Sequence, residues 1–159
     1  IIGGKPYHGM IHPEGGHIFV HRRPDDPMAK GICPYHGNCL EGLASGPAIE
    51  RRWGRKGAEL SDCLAVWELE AFYIGQAICT YICTLSPERI VVGGGVMHQE
   101  QMLPMIRQEV RRQMHGYIQG KGMDKLEEYI VPVSLGDNQG VMGGVKLAMD
   151  AYIEEGGTL

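Results

Sequence analysis

Two cysteines and a histidine lie close together in the segment GICPYHGNC, as Cys33, His36 and Cys39, with two residues between each and the next. Thiolate sulfur and imidazole nitrogen are the ligands that enclose zinc in structural sites, four to an ion. The glycines and the proline of the segment predict a tight loop, in which these side chains can converge on one point. The spacing therefore predicts a metal site, with zinc as the metal.

The fourth ligand of such a site has to come from another part of the chain. Four histidines precede the loop, namely His8, His12, His17 and His21, and spacing alone does not choose among them. The alternative interpretation is that the two cysteines are ordinary buried thiols and the histidines are surface groups. We favour the metal site, because three such side chains at this spacing are uncommon in a loop rich in glycine and proline.

Two carboxylates lie near the predicted ligands along the chain. Glu14 stands in HPEGGH, three residues before His17, and Glu41 follows Cys39 by two residues. Carboxylates accept hydrogen bonds from paired hydroxyl groups, so two of them on a metal-braced loop would suit a polyhydroxylated ligand. The alternative is that both are solvated loop residues, since charged side chains are mostly exposed.

A second candidate site follows the apolar run that ends in VVGGGVM at 91–97. Glycines after a buried strand allow the backbone to approach a nucleotide closely. Position 98 is histidine, so the third glycine of a dinucleotide fingerprint is missing, and no P-loop pattern occurs in the sequence. A tight turn that binds nothing is the alternative.

Composition limits the class of protein. The chain has 159 residues, a net charge of −4 and 43% hydrophobic residues, which is enough for one domain with its own core. Lysine and arginine form no continuous stripe, so binding to nucleic acid is disfavoured. The longest apolar run, at 71–85, is too short to span a bilayer and is predicted to be a buried helix.

The cysteines and the first residues add two expectations. Five cysteines, an odd number, do not fit a secreted disulfide framework, so we expect a reducing, cytoplasmic location. The chain starts with IIGGK, without an initiator methionine and within a strand-turn pattern that needs a partner strand. We therefore expect it to be part of a longer chain.

The pattern of elements predicts an α/β fold. Of the first thirty residues only HIFV, at 17–20, is predicted to form a strand. Two short helices meeting near Gly46 should cover 40–53, and a long buried helix should cover 58–85 with Cys63, Cys79 and Cys83 in the core. The strands RIVV and YIVPVS alternate with helices over 99–117 and from about 138 to 155, which predicts parallel pairing of strands buried on both faces. Asp137 or Asn138 should cap the last helix.

Four segments taken in order resemble the C-terminal half of the ROK family of sugar kinases and transcription factors, specifically its bacterial fructokinases. They are HPEGGHI, CPYHGNCLEGLASGPAI, ERIVVGGGVM and GDNQGVMGG. The resemblance implies the actin-like, ribonuclease-H-like sugar-kinase fold. It implies a C-terminal lobe with zinc-binding and sugar-contact loops in 1–45 and a nucleotide-side lobe in 46–159, the N-terminal lobe being absent from this chain.

The resemblance also implies roles for particular residues. His17 becomes the fourth ligand, so the zinc site would be His17, Cys33, His36 and Cys39, with a structural rather than a catalytic role. Glu14, His17 and Glu41 would contact sugar hydroxyls. The adenosine of Mg-ATP would lie against Gly93, Gly94, Gly95, Val96 and Met97, with Pro47 and Ile49 as the facing wall.

The sequence departs from the family pattern at two single positions and in two missing segments. Gly15 replaces a bulkier residue common in fructokinases, and Gln139 replaces a small residue in GDNxG. The family's D-x-G-G-T segment, which binds phosphate, and its N-D-x-N-A segment, which holds the catalytic base, have no counterpart here. We therefore expect no catalytic residue in this chain, and no activity from it alone.

The resulting hypothesis is the C-terminal portion of an ATP-dependent fructokinase that makes fructose 6-phosphate. The alternatives are a ROK hexokinase for glucose or mannose, a sugar-sensing ROK repressor without catalytic activity, and a zinc-stapled module without a ligand. Half of a two-lobed cleft leaves apolar surface open, so we also expect self-association, as a homodimer, or a requirement for the other half.

Overall fold

The structure is a computed structural model that describes residues 1–158, apart from the side chain of Lys121. Residues 1–14 are exposed, and the 3-10 turn Gly15–His17 follows them. The strand predicted at 17–20 is wrong, because this segment forms only one isolated bridge, between Phe19 and Cys39. Its neighbour across that bridge is the curved loop that carries the cysteines, which offers no straight edge for a longer ladder.

Two short helices follow the cysteine loop, as predicted. They are α1 (Leu40–Leu43) and α2 (Gly46–Trp53). The Ser45 hydroxyl accepts a hydrogen bond from the Ala48 N–H at 3.3 Å, which caps the start of α2. Gly54 ends α2 in the left-handed conformation, at φ 70°.

The long helix α3 (Leu64–Leu85) forms the centre of the molecule. It begins at Leu64 because a separate 3-10 turn, Gly57–Leu60, precedes it. It packs against α4 (Met102–Met114), and Trp67, Ile78 and Ile106 lie in their shared core. Across residues 1–158, no helix combines the length and the apolar character that crossing a membrane would require.

Of the three cysteines near or on α3, two lie at the edge of the core and one lies on the surface. Cys63 and Cys79 are half-buried and pack against the core, in line with the prediction. The prediction is wrong for Cys83, which is exposed. Cys83 follows Cys79 by four residues, but it lies in the last turn of α3, where burial ends.

The sheet has two described strands, β1 (Ile90–Val92) and β2 (Ile130–Pro132), which pair in parallel with Ile90 opposite Ile130. Arg107 of α4 donates from Nε to the Ile130 carbonyl at 3.0 Å and so ties that helix to β2. The short helix α5 (Leu126–Tyr129) leads into β2. The prediction of burial on both faces is wrong for β1, because Val91 is 60% exposed.

The last helix, α6 (Gln139–Glu154), has no buried residue in the described chain. Its exposed face carries apolar side chains, among them Val141, Leu147 and Ile153. The predicted cap is wrong, because neither predicted side chain makes a capping hydrogen bond at its start. Asp137 instead approaches His98, with 3.0 Å between Oδ1 and Nε2.

A fully buried cluster of charged side chains connects Asp26, which precedes the cysteine loop, to α1, α2 and α3. The Arg52 guanidinium donates to Asp26 at 2.9 Å, to Glu70 at 3.0 Å and to the Leu43 carbonyl at 2.7 Å. The Tyr73 hydroxyl donates to the second oxygen of Asp26 at 2.6 Å. The side chains of Arg52, Asp26 and Glu70 have no solvent exposure. One guanidinium therefore serves two buried carboxyl groups and the end of α1.

Of the two carboxyl groups, that of Glu70 makes fewer hydrogen bonds. Its Oε2 is buried without a hydrogen-bond partner in the described chain. Burial, with a smaller contribution from the Asp26 charge, raises the pKa of Glu70 to about 8 against the lowering effect of Arg52. The folded protein therefore holds a proton on Glu70 that the unfolded chain releases near its ordinary pKa of 4.5.

We expect Glu70→Gln to change how stability depends on pH. A raised native pKa means that the native state binds more protons between pH 4.5 and 8, so the stability of the wild-type protein falls as pH rises through that window. The amide of the variant does not titrate. As pH rises, the free energy of unfolding of the variant therefore increases relative to that of the wild type by up to about 1.4 kcal/mol per pH unit. Urea unfolding from pH 5.5 to 8 measures this difference. Glu68→Gln, at an exposed position of the same helix, should run parallel to the wild type.

Candidate metal centre and adjoining cavities

The four residues proposed to bind metal come together in the structure. The ligand atoms of His17, Cys33, His36 and Cys39 all lie within 4.8 Å of one another. The His17 Nδ1 atom lies 3.5 Å from the Cys39 sulfur and 3.9 Å from the Cys33 sulfur. The His36 Nδ1 atom lies 3.8 Å from the Cys33 sulfur.

These separations fit a four-coordinate zinc ion. Zinc bonds of about 2.3 Å to sulfur and 2.0–2.1 Å to nitrogen, in a tetrahedron, give a sulfur-to-nitrogen edge of about 3.6 Å. The three measured edges of 3.5, 3.8 and 3.9 Å lie close to that value. Two sulfurs and two imidazoles are also the donor set typical of structural zinc.

Close backbone packing shapes the loop around these ligands. A Cβ atom on Gly42 would overlap the Gly37 carbonyl oxygen and lie 2.9 Å from the Cβ of Cys33. Gly37 itself has φ 63°, a conformation that glycine adopts at little cost. The Ile32 N–H donates to the Gly42 carbonyl at 2.9 Å. Glycine at both positions therefore lets the loop fold tightly enough for both cysteines to face one point.

The two thiols differ in acidity. The His36 N–H points at the Cys33 sulfur from 3.5 Å and, as the largest of several causes, lowers the pKa of Cys33 to about 6. Burial raises the pKa of Cys39, whose side chain is inaccessible to solvent. Cys33 is thus the more acidic of the two thiols, and zinc binding requires both as thiolates.

Both nitrogens of His17 are engaged, on opposite sides of the ring. Nδ1 faces the sulfurs, and Nε2 lies 3.0 Å from Oε2 of Glu41. A histidine that binds metal through one nitrogen commonly donates from the other to a carboxylate. The structure thus places Glu41 next to the ring nitrogen of His17 that faces away from the proposed metal.

Two side chains of α3 hold the N-terminal part of the site. Gln76 accepts from the His21 N–H at 2.8 Å and donates to the His21 carbonyl at 2.9 Å. The Tyr81 hydroxyl donates to the Gly15 carbonyl at 2.7 Å, and a Cβ on Gly15 would lie 3.3 Å from that hydroxyl. A bulkier residue at position 15 would therefore press on Tyr81. These contacts explain a polar Gln76 within the apolar stretch of the helix.

A cavity of about 390 Å³ opens beside the cluster, and its lining includes His17, Cys33, Glu41 and Pro47. Glu14 is exposed and is not among the described residues that line it. The structure thus brings Glu41 and His17 together and leaves Glu14 on the adjoining turn. Contacts of these three residues with a sugar remain a prediction.

A second cavity, of about 520 Å³, lies where the two strands end. Gly93, Gly94 and Met97 line it, as the sequence suggested for a nucleotide site. Gly95 and Val96 belong to the 3-10 turn Gly95–His98 at the same edge. The two residues proposed as the facing wall lie elsewhere, because Pro47 borders the metal-side cavity and Ile49 is buried in the main core. Nucleotide contact by any of these residues stays a prediction.

The opposite side of this second cavity comes from residues that the sequence did not single out as a site. They follow β2 and include Val133, Asp137 and Gln139. A Cβ on Gly93 would lie 3.0 Å from Oε1 of Gln139, so the two loops are in close contact. The predicted parallel pairing of the two strands could have indicated these residues, because it places the loops after β1 and β2 at the same edge of the sheet.

Comparison with known proteins agrees with this architecture. The model of the ROK family matches residues 1–151. A curated protein of Bacillus subtilis (strain 168) is 50% identical over 98% of this chain and 52% of its own length. A fructokinase of Zymomonas mobilis is 44% identical over 95% of this chain and 50% of its own length. The chain thus spans about half the length of these curated relatives.

The fold has a counterpart among solved structures. The crystal structure of a ROK hexokinase from Thermus thermophilus superposes with a TM-score of 0.70, at 22% identity, over 90% of this chain and 50% of that chain. This likeness confirms the sugar-kinase fold that the sequence motifs implied. The chain belongs to the ROK family.

Proposed function

We propose that this chain is the C-terminal portion of an ATP-dependent fructokinase, in which a structural zinc ion holds the sugar-binding loops in place. The observation that carries the proposal is the convergence of His17, Cys33, His36 and Cys39 beside a cavity that Glu41 also lines. The choice of fructose rests on relatives named fructokinase, at 44% and 41% identity in Zymomonas mobilis and Pediococcus pentosaceus.

Zinc would brace this site and would leave the phosphoryl transfer to other groups. All four proposed ligands come from the protein, so no position stays open for a substrate. Shared binding of the ion would hold the Gly15–His17 turn against α1, the helix that carries Glu41. The ligands are His17, Cys33, His36 and Cys39. Glu14 and Glu41 would then accept hydrogen bonds from the sugar hydroxyls, and charged acceptors make these bonds strong. The Nε2 of His17 could reach a sugar hydroxyl only in place of its contact with Glu41.

The second cavity is the proposed site for the adenosine of Mg-ATP. Its size, and the glycines at its edge, suit a planar base against a closely approaching backbone. We include Gly93, Gly94, Gly95, Val96 and Met97 in this site. Pro47 and Ile49 are left out of it, because Pro47 borders the metal-side cavity and Ile49 is buried in the main core. Magnesium would accompany the triphosphate and neutralise the charge that develops during transfer.

We assign the catalytic base and the phosphate-binding segment to an N-terminal portion outside this chain. The chain itself would divide into sugar-side loops in 1–45 and a nucleotide-side lobe in 46–159. Without that portion we expect no turnover, because positioning alone does not transfer a phosphoryl group. We also propose a homodimer in the cytoplasm, where the five cysteines, none of them in a disulfide, stay reduced. The sequence gives no support for nucleic acid or a membrane as partner.

A second candidate is a ROK kinase for another hexose, such as glucose or mannose. The observation that favours it is the superposition on a solved protein that is named a ROK hexokinase. One loop spacing does not determine the stereochemistry of the hydroxyls that the site accepts. Rates with fructose, glucose and mannose distinguish the two candidates.

The carboxylates of the proposed sugar site give a direct test. In the complete protein, Glu14→Gln and Glu41→Gln should each raise the KM or Kd for fructose by about 10- to 150-fold, the effect of losing one charge-assisted hydrogen bond of about 1.5–3 kcal/mol. The Kd for ATP should stay within a factor of two or three. Glu127→Gln, at an exposed position on α5, is the control. Unchanged fructose affinity in both variants would remove these residues from the site.

A further inference from the structure

Glu41 stands between the metal cluster and the cavity beside it. Its Oε2 lies 3.0 Å from the Nε2 of His17, whose Nδ1 lies 3.5 Å from the Cys39 sulfur. The same carboxylate lines the cavity. A Cβ on Gly16 would lie 3.9 Å from the Cβ of Glu41, so the Gly15–His17 turn and the start of α1 are in contact.

This carboxylate has one oxygen engaged and one available. Within residues 1–158 its Oε1 has no hydrogen-bond partner, and 61% of the side chain is exposed. An exposed glutamate samples several rotamers, so its 3.0 Å contact with His17 is present only part of the time. Anything that fixes the rotamer would strengthen the orientation of the His17 ring.

We propose that Glu41 couples sugar binding to zinc retention. One oxygen orients His17 toward the metal, while the other accepts a hydroxyl of a sugar in the cavity. The sugar fixes the rotamer that His17 needs, so the coupling is positive, and zinc in turn raises the affinity for sugar. This inference rests on the proposed function, because it takes the occupant of the cavity to be a sugar.

The orientation of His17 can be tested without any sugar. The complete protein, loaded with one zinc ion, is mixed with a chromogenic zinc chelator, and the rate and extent of zinc transfer are recorded. Outer partners of metal-binding histidines contribute about 10- to 100-fold to metal affinity, so Glu41→Gln should weaken zinc binding by that factor. Glu127→Gln, at an exposed position on α5, should behave as the wild type. Because Glu41 is exposed, its replacement should leave the circular dichroism spectrum unchanged.

The coupling is then tested by adding saturating D-fructose. Coupling energies between two sites of one protein are typically 1–3 kcal/mol, so zinc transfer from the wild type should slow by at least about fivefold. Glu14→Gln, at a fructose concentration raised to saturate it, should show the same slowing. Glu41→Gln should show none, even where calorimetry finds residual sugar binding.

The outcomes separate the inference from the function on which it rests. Equal zinc affinity in Glu41→Gln and the wild type would overturn the role of Glu41 behind His17. Fructose that binds by calorimetry without slowing zinc transfer would overturn the coupling alone. If fructose fails to bind the wild-type protein, both the proposed function and the coupling fail, and the sugar-free comparison still decides the orientation of His17.

Discussion

Cys39→Ser is expected to lose the metal and, with it, the structure of the loops in 8–45. Cys39 has no solvent exposure and its sulfur lies 3.5 Å from the Nδ1 of His17, so a serine there would put a weak zinc ligand in a buried position of the site. Structural zinc contributes folding free energy directly, with apparent values of about 10–16 kcal/mol in zinc-finger peptides. Here the small core formed by Val20, Leu43, Leu69 and Tyr73 retains part of the loop's contacts. The loops in 8–45 should therefore unfold before the rest of the protein does.

Two measurements check this expectation. Elemental analysis of protein purified without added metal should give one zinc per chain for the wild type and well under half for Cys39→Ser. Hydrogen exchange should show protection lost in 8–45 before α3 and α4 are affected. Cys83→Ser removes an exposed cysteine on α3 and should keep full metal. Full metal content in Cys39→Ser, or a metal-free wild type that keeps its loop protection, would contradict the account.

Arg52→Met is expected to destabilise the protein by about 3–5 kcal/mol, the usual effect of removing one partner from a buried ion pair. Methionine fills similar volume, but Asp26 and Glu70 would lose their only cation in the cluster, and the Leu43 carbonyl would lose its donor. Because Leu43 ends α1, the change should also loosen the position of Glu41. Arg51→Met, at the exposed neighbouring position, should cost less than about 0.5 kcal/mol.

Equilibrium unfolding in urea at pH 6 measures both variants. A triple change of Arg52→Met with Asp26→Asn and Glu70→Gln removes the charges of Arg52 and Asp26 together and replaces the protonated Glu70 carboxyl group by an amide. It should recover part of the loss, since uncharged replacements of a buried cluster are often tolerated. If Arg52→Met unfolds at the same urea concentration as Arg51→Met, the cluster does not contribute to stability in the way described here.

Local sequence signals predicted the elements that depend on neighbouring residues. The predicted meeting of two short helices near Gly46 agrees with the start of α2 at Gly46, because the cap at Ser45 and the fixed φ of Pro47 act within one turn. The spacing of Cys33, His36 and Cys39 predicted the metal cluster for the same reason. The choice of His17 came from family resemblance, because spacing cannot show which upstream histidine the fold returns to the loop.

Long-range contacts explain what the sequence did not reveal. Asp26 was not recognised as important, because its partners Arg52 and Tyr73 are far along the chain and carry no local pattern. The apolar residues of α6 predicted a helix correctly, but they could not predict that the helix lies exposed in residues 1–158. The role of Asp137 was misjudged because its contact with His98 depends on the pairing of β1 with β2.

The most direct test of the central claim is an ADP-release assay on the complete protein with ATP, magnesium and a panel of hexoses. The account predicts turnover with a higher kcat/KM for D-fructose than for glucose or mannose, together with one zinc per chain. Loss of zinc should lower this activity with fructose and should leave ATP binding in place. Absence of turnover with every hexose, or full turnover by protein stripped of zinc, would contradict the assignment of a zinc-braced fructokinase.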